Sequence, residues 1–191
     1  MRRAAPGMNQ PENHFFAAGQ ATTVREACWG DLPGFACFVV QPWDCLILDY
    51  PRALISGKYA TLQRCVSNFP VVYDDLVERG GLMCVLTGES PHRVLGFGSL
   101  TPGRGVGRRH KGIVDFATQD DYRHDAIRIL DLLLAAAKER KVESVQAWIA
   151  SSDQKKAHEF LGLGFERLAT IPGAVRLSGD DIDVTLFERK V

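Results

Sequence analysis

Residues Lys111 to Phe165, KGIVDFATQDDYRHDAIRILDLLLAAAKERKVESVQAWIASSDQKKAHEFLGLGF, decide the fold of this chain. Their hydrophobic pattern predicts a strand, a turn, an amphipathic helix, a second strand and a short helix that glycines end. The predicted bounds are 112–118, 119–123, 124–141, 143–150 and 154–161. Strands that alternate with helices are typical of the α/β class, so we expect a β-α-β-α unit here.

The junction between the first of these strands and the long helix is a candidate binding site. Backbone N–H groups at a helix N-terminus have no partner inside the helix, and they attract anions. The sequence therefore predicts that the junction can hold a phosphate group.

Further strands flank this stretch on both sides. The pattern predicts a first strand at 21–28 and a hairpin of strands at 82–87 and 93–100. It predicts a closing strand pair at 165–170 and 183–188. After the first strand, Asp31 is expected to cap a helix that has Pro33 in its first turn. Residues 1–20 show no period and are predicted to be a flexible arm, so residues 21–191 are expected to form one domain.

Composition narrows the range of partners and compartments. The 191 residues include 23 Lys plus Arg and 23 Asp plus Glu, and this balance argues against a general binder of nucleic acid or anionic membranes. No apolar run reaches the roughly 18 residues of a membrane span, and the N-terminus lacks a signal-peptide core. We therefore expect a cytoplasmic protein.

The cysteines and histidines show no pattern of metal binding. The five cysteines include no CxxC pair, and the five histidines have no zinc-ligand spacing. Each cysteine has apolar or aromatic neighbours, so we expect small buried side chains and no metal site.

Four segments of residues 111–165 together resemble a known superfamily. They are VDFATQDDYR (114–123), the helix at 124–141, the strand and turn at 145–153, and FLGLGF (160–165). These segments are similar to the fourth strand with its PxYRG turn, the cofactor helix, the fifth strand and the YexLGF motif of the GNAT superfamily of acetyl-CoA-dependent N-acetyltransferases. The resemblance covers residues 22–189.

This resemblance implies an α/β (α+β) fold and a cofactor site. It implies a mixed sheet of roughly six or seven strands, flanked by helices, that splays between its fourth and fifth strands. The pantetheine arm of acetyl-CoA would lie in the splay, and its pyrophosphate on the turn and helix N-terminus. The implied cofactor-binding residues are Phe116, Ala117, Thr118, Arg123, His124, Asp125, Ala126, Ile127, Arg128, Asp153 and Lys156.

The pyrophosphate motif departs from the pattern of the superfamily. Where relatives have Q/R-x-x-G-x-G/A, this chain has RHDAIR at 123–128, so both glycines are missing. Ala126 is compatible with a helical first turn, which needs no positive φ. Arg128 either crowds the phosphates or binds them. Asp125 either weakens an anion site or only favours the helix dipole.

The acid and base of the superfamily are also replaced. The usual carboxylate of the fourth strand corresponds to about Ile113, and Asp115 lies on the same face two residues later. Asp115 is therefore the candidate base, and a structural strand residue is the alternative. The usual tyrosine falls at Phe160, which has no proton to donate. Lys156 or His158 could serve near the cofactor, or each could be a solvated residue of the helix surface.

A glycine-rich segment at 103–111, GRGVGRRHK, resembles a phosphate loop, but a strand follows it instead of a helix. We expect a basic hairpin turn there.

Three functions remain open. The resemblance implies an N-acetyltransferase that transfers acetyl directly to an amine of a small molecule or protein in a ternary complex, and it implies that the closing strands can pair two subunits as a homodimer. The missing motif residues favour a catalytically degenerate binding or regulatory protein. The apolar segment 35–50 would suit an acyltransferase with a longer acyl donor.

Overall fold

The computed structural model of this chain describes residues 21–39, 73–74, 76–90, 92–103, 110–177 and 180–191. The strands in this part are β1 (Thr23–Glu26), β2 (Leu82–Thr87), β3 (Val94–Pro102), β4 (Lys111–Thr118), β5 (Ser144–Ala150), β6 (Glu166–Leu177) and β7 (Asp180–Lys190). They form one seven-stranded sheet in the order β1-β2-β3-β4-β5-β7-β6. Only the β4–β5 pair is parallel among these strands.

Helices cover both faces of this sheet. They are α1 (Leu32–Val39), α2 (Ala126–Glu139) and α3 (Gln154–Gly162), with short 3-10 helices at Trp29–Asp31 and Asp120–Asp125. The predicted α/β class and the mixed sheet flanked by helices are confirmed.

The core consists of two layers because the central strands are buried on both faces. In β2, Cys84 and Leu86 pack into the cluster beneath α2 and α3, whereas Met83 and Val85 pack into the cluster beneath α1. Successive side chains of a strand point to opposite faces, so a doubly covered strand is apolar throughout. The uninterrupted apolar run LMCVL at 82–86 follows from this arrangement.

The predicted helix start is confirmed in part: Pro33 lies in the first turn of α1, but Cys28 is the N-cap of the preceding 3-10 turn, and Asp31 is the third residue of its capping box. Asp31 ends the 3-10 turn, and its carboxylate accepts a hydrogen bond of 2.8 Å from the backbone N–H of Cys28. The Arg25 guanidinium donates two more, of 2.8 and 2.6 Å, to the same carboxylate. Asp31 therefore joins β1 to the start of α1, and it is almost fully buried.

Several element boundaries differ from the prediction. The first strand is shorter than 21–28, and a 3-10 helix precedes α2, which begins at Ala126 instead of residue 124. The closing strands β6 and β7 are much longer than predicted because they pair with each other well beyond residues 170 and 183. Hydrophobic spacing marks the centres of elements better than their ends.

The cysteine prediction is only partly confirmed. Cys84 is buried, and its burial raises the pKa of the thiol to about 12. Cys28 and Cys37 are exposed, which contradicts the expectation for these two residues. Within the described residues, no three His, Cys, Asp or Glu side chains cluster as a metal site.

Three expectations fall outside the described residues. They concern the arm at 1–20, most of the apolar segment 35–50, and the glycine-rich turn, of which residues 104–109 are not described. None of the described helices is long and apolar enough to cross a membrane.

Candidate active site

The sheet opens between its only parallel pair of described strands. β4 and β5 pair at three positions, Lys111 with Ser144, Gly112 with Val145 and Ile113 with Gln146. Beyond these, β4 continues to Thr118 and β5 to Ala150. Because the pairing stops at Ile113, the two strands diverge, as the splayed-sheet prediction requires.

Each diverging strand keeps its outer neighbour. β4 pairs with β3 as far as Thr118, and β5 pairs with β7 as far as Ala150. The inner edges, 114–118 and 147–150, therefore pair with no described strand. Backbone N–H and C=O groups on such edges need other partners, which an extended ligand with amide groups can supply.

The side chains of the predicted pantetheine-binding segment lie on both faces of β4. Phe116 is buried in the cluster beneath α2 and α3, whereas Ala117 belongs to the cluster beneath α1, and Thr118 is half-buried. The side chains of Phe116, Ala117 and Thr118 therefore lie on the faces of the sheet, and it is their backbone that runs along the opening. The backbone role predicted for these three residues in cofactor binding stays a prediction.

A buried ion pair joins the two sides of the opening. Lys156 Nζ lies 2.6 Å from Asp115 Oδ1, and the side chains are 6% and 7% exposed respectively. Asp115 belongs to β4, on one side of the opening, and Lys156 to α3, which follows β5 on the other side. Lys156 is therefore not the solvated surface residue that we considered as an alternative, and Asp115 does not face solvent.

The start of α3 holds Lys156 in place. Asp153 Oδ1 accepts a hydrogen bond of 2.9 Å from the backbone N–H of Lys156, which confirms the predicted cap. One turn later, the Phe160 ring stacks on Phe116 with 4.7 Å between the ring centroids. The cap and the stack fix both ends of this turn, so the Lys156 side chain has a defined path towards β4.

The ion pair leaves one acceptor atom unsatisfied. Asp115 Oδ2 is buried and accepts no hydrogen bond within the described part of the chain. Burial raises the pKa of Asp115, and the charge and hydrogen bond of Lys156 oppose this rise. A buried carboxylate oxygen without a donor is costly and uncommon, so it marks a position where a ligand donor would be accommodated.

The predicted phosphate junction contains a 3-10 helix in place of the expected open turn at 119–123. Residues 120–125 form a 3-10 helix that no side chain of Gln119 caps, and Tyr122 kinks it with φ −113° and ψ 19°. Tyr122 packs into the core, as expected. In a 3-10 helix each i→i+3 bond uses an N–H group that an open turn would leave available to an anion. The junction therefore offers fewer backbone donors than predicted.

Acidic side chains already neutralise one end of this junction. The Arg123 guanidinium donates hydrogen bonds of 3.1 and 2.9 Å to Asp120 Oδ1, and Lys155 Nζ lies 3.2 Å from the same oxygen. These groups are exposed, so an anionic ligand can compete for the two cations at low cost.

Arg128 is anchored away from the opening of the sheet. Its guanidinium donates to Asp125 Oδ1 at 2.6 Å, to Thr22 Oγ1 at 2.7 Å and to the Thr22 carbonyl at 3.1 Å. Asp125 is buried, and Thr22 Oγ1 also donates to its second oxygen. Asp125 therefore serves as the anchor of Arg128, a role that the sequence did not indicate because Thr22 is 106 residues from Arg128.

The remaining junction residues surround this anchor. Ala126 is buried at the first position of α2, so its methyl group is accommodated where relatives have glycine. His124 and Ile127 are exposed, and His124 Nε2 lies 3.5 Å from Asp125 Oδ2. His158 is also exposed, and one of its ring nitrogens bonds the Gln154 carbonyl, so it lies outside the buried pair.

Several solved structures with a similar fold carry the name of acetyltransferases. A ribosomal-protein-alanine N-acetyltransferase from Brucella melitensis is 20% identical, with a TM-score of 0.69 over 88% of this chain and 99% of that chain. The protein yncA from Salmonella typhimurium, solved with its cofactor acetyl-CoA, is 18% identical, with a TM-score of 0.65 over 89% of this chain and 94% of that chain. A GNAT superfamily phosphinothricin acetyltransferase from Sinorhizobium meliloti, in complex with acetyl-CoA, is 14% identical, with a TM-score of 0.67 over 89% and 88%.

These similarities establish that the chain has the fold of the GNAT acetyltransferases. No protein-family profile matches the sequence, and no curated protein sequence matches it either. At these identities the relationship lies in the fold, so the activity must be argued from the site.

Proposed function

We propose that this protein is an acetyl-CoA-dependent N-acetyltransferase that transfers acetyl directly to an amine bound beside the cofactor. The observation that carries the proposal is the opening between β4 and β5, whose strands pair at only three positions. Two structures with the same fold contain acetyl-CoA. The pantetheine arm is an extended chain with two amides, which suits unpaired strand edges.

The phosphates of the cofactor are assigned to the junction before α2. Arg123 and Lys155 share the exposed Asp120 carboxylate, and phosphate oxygens would replace it as their partner. Arg128 stays with Asp125 and Thr22 and shapes the junction without reaching the opening. His124, Ile127 and the N-terminal residues of α2 line the same surface.

Asp115 is assigned as the base. Its Oδ2 atom is buried and accepts no hydrogen bond among the described residues, so an amine N–H can donate to it. Burial raises the pKa of Asp115 against the opposing effect of Lys156, and a raised pKa makes the carboxylate a better proton acceptor near neutral pH. The acceptor amine belongs to a small molecule or to a protein N-terminus or side chain.

Two measurements test this proposal. Calorimetry with acetyl-CoA is expected to show binding at one site, and thiol release is expected when amines are added. The panel comprises a peptide with N-terminal alanine, phosphinothricin and a polyamine.

Asp115→Asn should lower kcat by about 100-fold or more while acetyl-CoA still binds. Arg176→Ala, at an exposed ion pair on β6, is the matched control. No binding at millimolar acetyl-CoA would exclude the proposal.

A degenerate binding protein is the second candidate. The observation in its favour is that Arg123 and Arg128 both pair with acidic side chains of the same junction. If these pairs persist, phosphates have no strong site there, and calorimetry would show no acetyl-CoA binding. Binding without thiol release for any amine would support a regulatory role that retains the cofactor site.

Self-association is proposed through β6. Among the described strands β6 is one of the two edges of the sheet, and Leu168 and Ile171 on it are exposed. Pairing of two such edges would bury them in a homodimer. Sedimentation equilibrium is expected to give a dimer mass for the wild type and a monomer mass for Leu168→Lys. A monomeric wild type would contradict this.

A further inference from the structure

We propose that Lys156 donates a proton to the departing thiolate. Asp115 then returns a proton to Lys156 through the hydrogen bond between the two side chains. This inference rests on the proposed function and deepens it, because it assigns the acid that Phe160 cannot supply. The pair would work as a closed proton relay at the opening between β4 and β5.

The position of Lys156 supports this role. Lys156 precedes Phe160 by four residues, so both lie on one face of α3. Its Nζ lies 5.9 Å from the centroid of the Phe160 ring, the position that corresponds to the tyrosine of the resembled superfamily. The Lys156 ammonium therefore lies next to the position where the superfamily has the tyrosine hydroxyl.

Burial of the pair is hard to explain by stability alone. Replacing a buried ion pair by apolar side chains is often neutral or stabilising, whereas desolvating two charges costs several kcal/mol per ion. Here one carboxylate oxygen also accepts no hydrogen bond within the described residues. An incompletely satisfied pair in a cleft is typical of a functional site.

Two described carboxylates on or beside α3 do not take the place of Asp115. Asp153 and Glu159 lie on or beside the same helix, and Asp153 is engaged by the backbone N–H of Lys156. Burial raises the pKa of Glu159, and the charge of Lys156 opposes this rise. Only Asp115, from β4, forms an ion pair with Nζ among these carboxylates.

The transfer balances without another reactant. The lone pair of a neutral amine forms the C–N bond at the acetyl carbonyl carbon, and the C–S bond breaks with its electron pair on sulfur. The Lys156 ammonium donates a proton to the sulfur, and Asp115 accepts a proton from the nitrogen. The proton then moves from Asp115 to the Lys156 amine along the 2.6 Å hydrogen bond. The products are the amide and free coenzyme A.

The leaving group provides the decisive test. Transfer to the best amine of the panel is measured with acetyl-CoA and with S-(4-nitrophenyl) thioacetate, whose thiolate leaves without protonation. Lys156→Met is expected to lower kcat with acetyl-CoA by about 100-fold or more and kcat/KM with the activated thioester by less than about fivefold. Calorimetry is expected to show acetyl-CoA binding within about threefold of the wild type.

Other outcomes overturn the relay. Equal losses with both thioesters, or no loss with acetyl-CoA, would exclude Lys156 as the acid while leaving the transferase proposal intact. A wild type that transfers to no amine would exclude both. Lys156→Gln keeps an N–H donor for Asp115, so it replaces Lys156→Met if the latter does not fold, and it should show the same selective loss.

Discussion

At the scale of single residues, the buried Asp115–Lys156 pair has a cost in stability. Two charges are removed from water, and their attraction offsets this cost only while both are present. A relay that needs both groups would therefore be retained although an apolar pair would fold at least as well.

A double-mutant cycle tests this energetic argument. Asp115→Leu and Lys156→Met alone should each lower the free energy of unfolding by about 3–5 kcal/mol, because each leaves one buried charge unpaired. The double variant should lose less than either single variant. Urea unfolding measures all four proteins. A double loss equal to the sum of the single losses would show that the two residues do not interact.

Asp31 makes folding sensitive to acid. Burial alone would raise the pKa of Asp31, but the hydrogen bonds from Arg25 and Cys28 outweigh this and lower it. Its stabilising contribution is therefore complete above its unfolded pKa of about 3.9 and is lost as the pH falls through the lower folded value.

The Asp31→Asn variant is expected to lose part of this pH dependence. Unfolding free energies at pH 7 should fall relative to the wild type, and the difference should shrink as the pH drops below about 4. Asp181→Asn removes a pair that is exposed on both sides and is the control with a smaller effect. A constant difference across this range would contradict the assignment.

At the scale of elements, α2 packs against β3 at Gly98, which has no side chain. A Cβ atom at Gly98 would collide with Ile129 of α2 and would lie 3.0 Å from Leu133 and 3.2 Å from Cys84. The glycine therefore sets how closely the helix approaches β3, and this contact lies in the cluster that supports β4 and the start of α2.

Gly98→Ala should lower the free energy of unfolding by about 1–3 kcal/mol because the core is overpacked. Gly162→Ala is the matched control, since an added Cβ there meets nothing within 4 Å. That variant should change stability by less than about 1 kcal/mol, in the stabilising direction for a helical residue. Equal effects in thermal or urea unfolding would show that the predicted collision is relieved elsewhere.

At the scale of the whole molecule, the sheet consists of two parts joined through one short parallel pair. β1 to β4 form one part, β5 to β7 the other, and three residue pairs connect β4 to β5. A ligand that fills the opening would contact both parts at once. Binding should therefore stabilise the whole fold as well as the site.

Acetyl-CoA is expected to raise the melting temperature. At a free concentration of about 100 times its dissociation constant the gain is about 2.7 kcal/mol, or about 5–10 °C for a chain of this size. Adenosine 3′,5′-bisphosphate at the same concentration lacks the pantetheine arm and should give a clearly smaller shift. Equal shifts in melting temperature would show that the binding energy comes from the phosphate junction and that the pantetheine arm does not bind in the opening.

Much of the architecture was predictable because it is encoded in local spacing. The apolar stripe of α2, the alternation in β5, the Asp153 cap and the glycines at the end of α3 each depend on residues within a few positions. The resemblance to the superfamily added the splay between the fourth and fifth strands. The candidate residues Asp115 and Lys156 were recognised separately, but no local feature indicated that they are paired.

The sequence by itself determined the order and type of the elements around residues 111–165, since hydrophobic period and capping act within one or two turns of chain. Only the tertiary structure decided that Lys156 bonds to Asp115, 41 residues earlier, and that Arg128 bonds to Thr22, 106 residues earlier. These contacts depend on where the strands stop pairing and how the helices lie across the opening. That geometry results from packing of the whole sheet, which no short segment specifies.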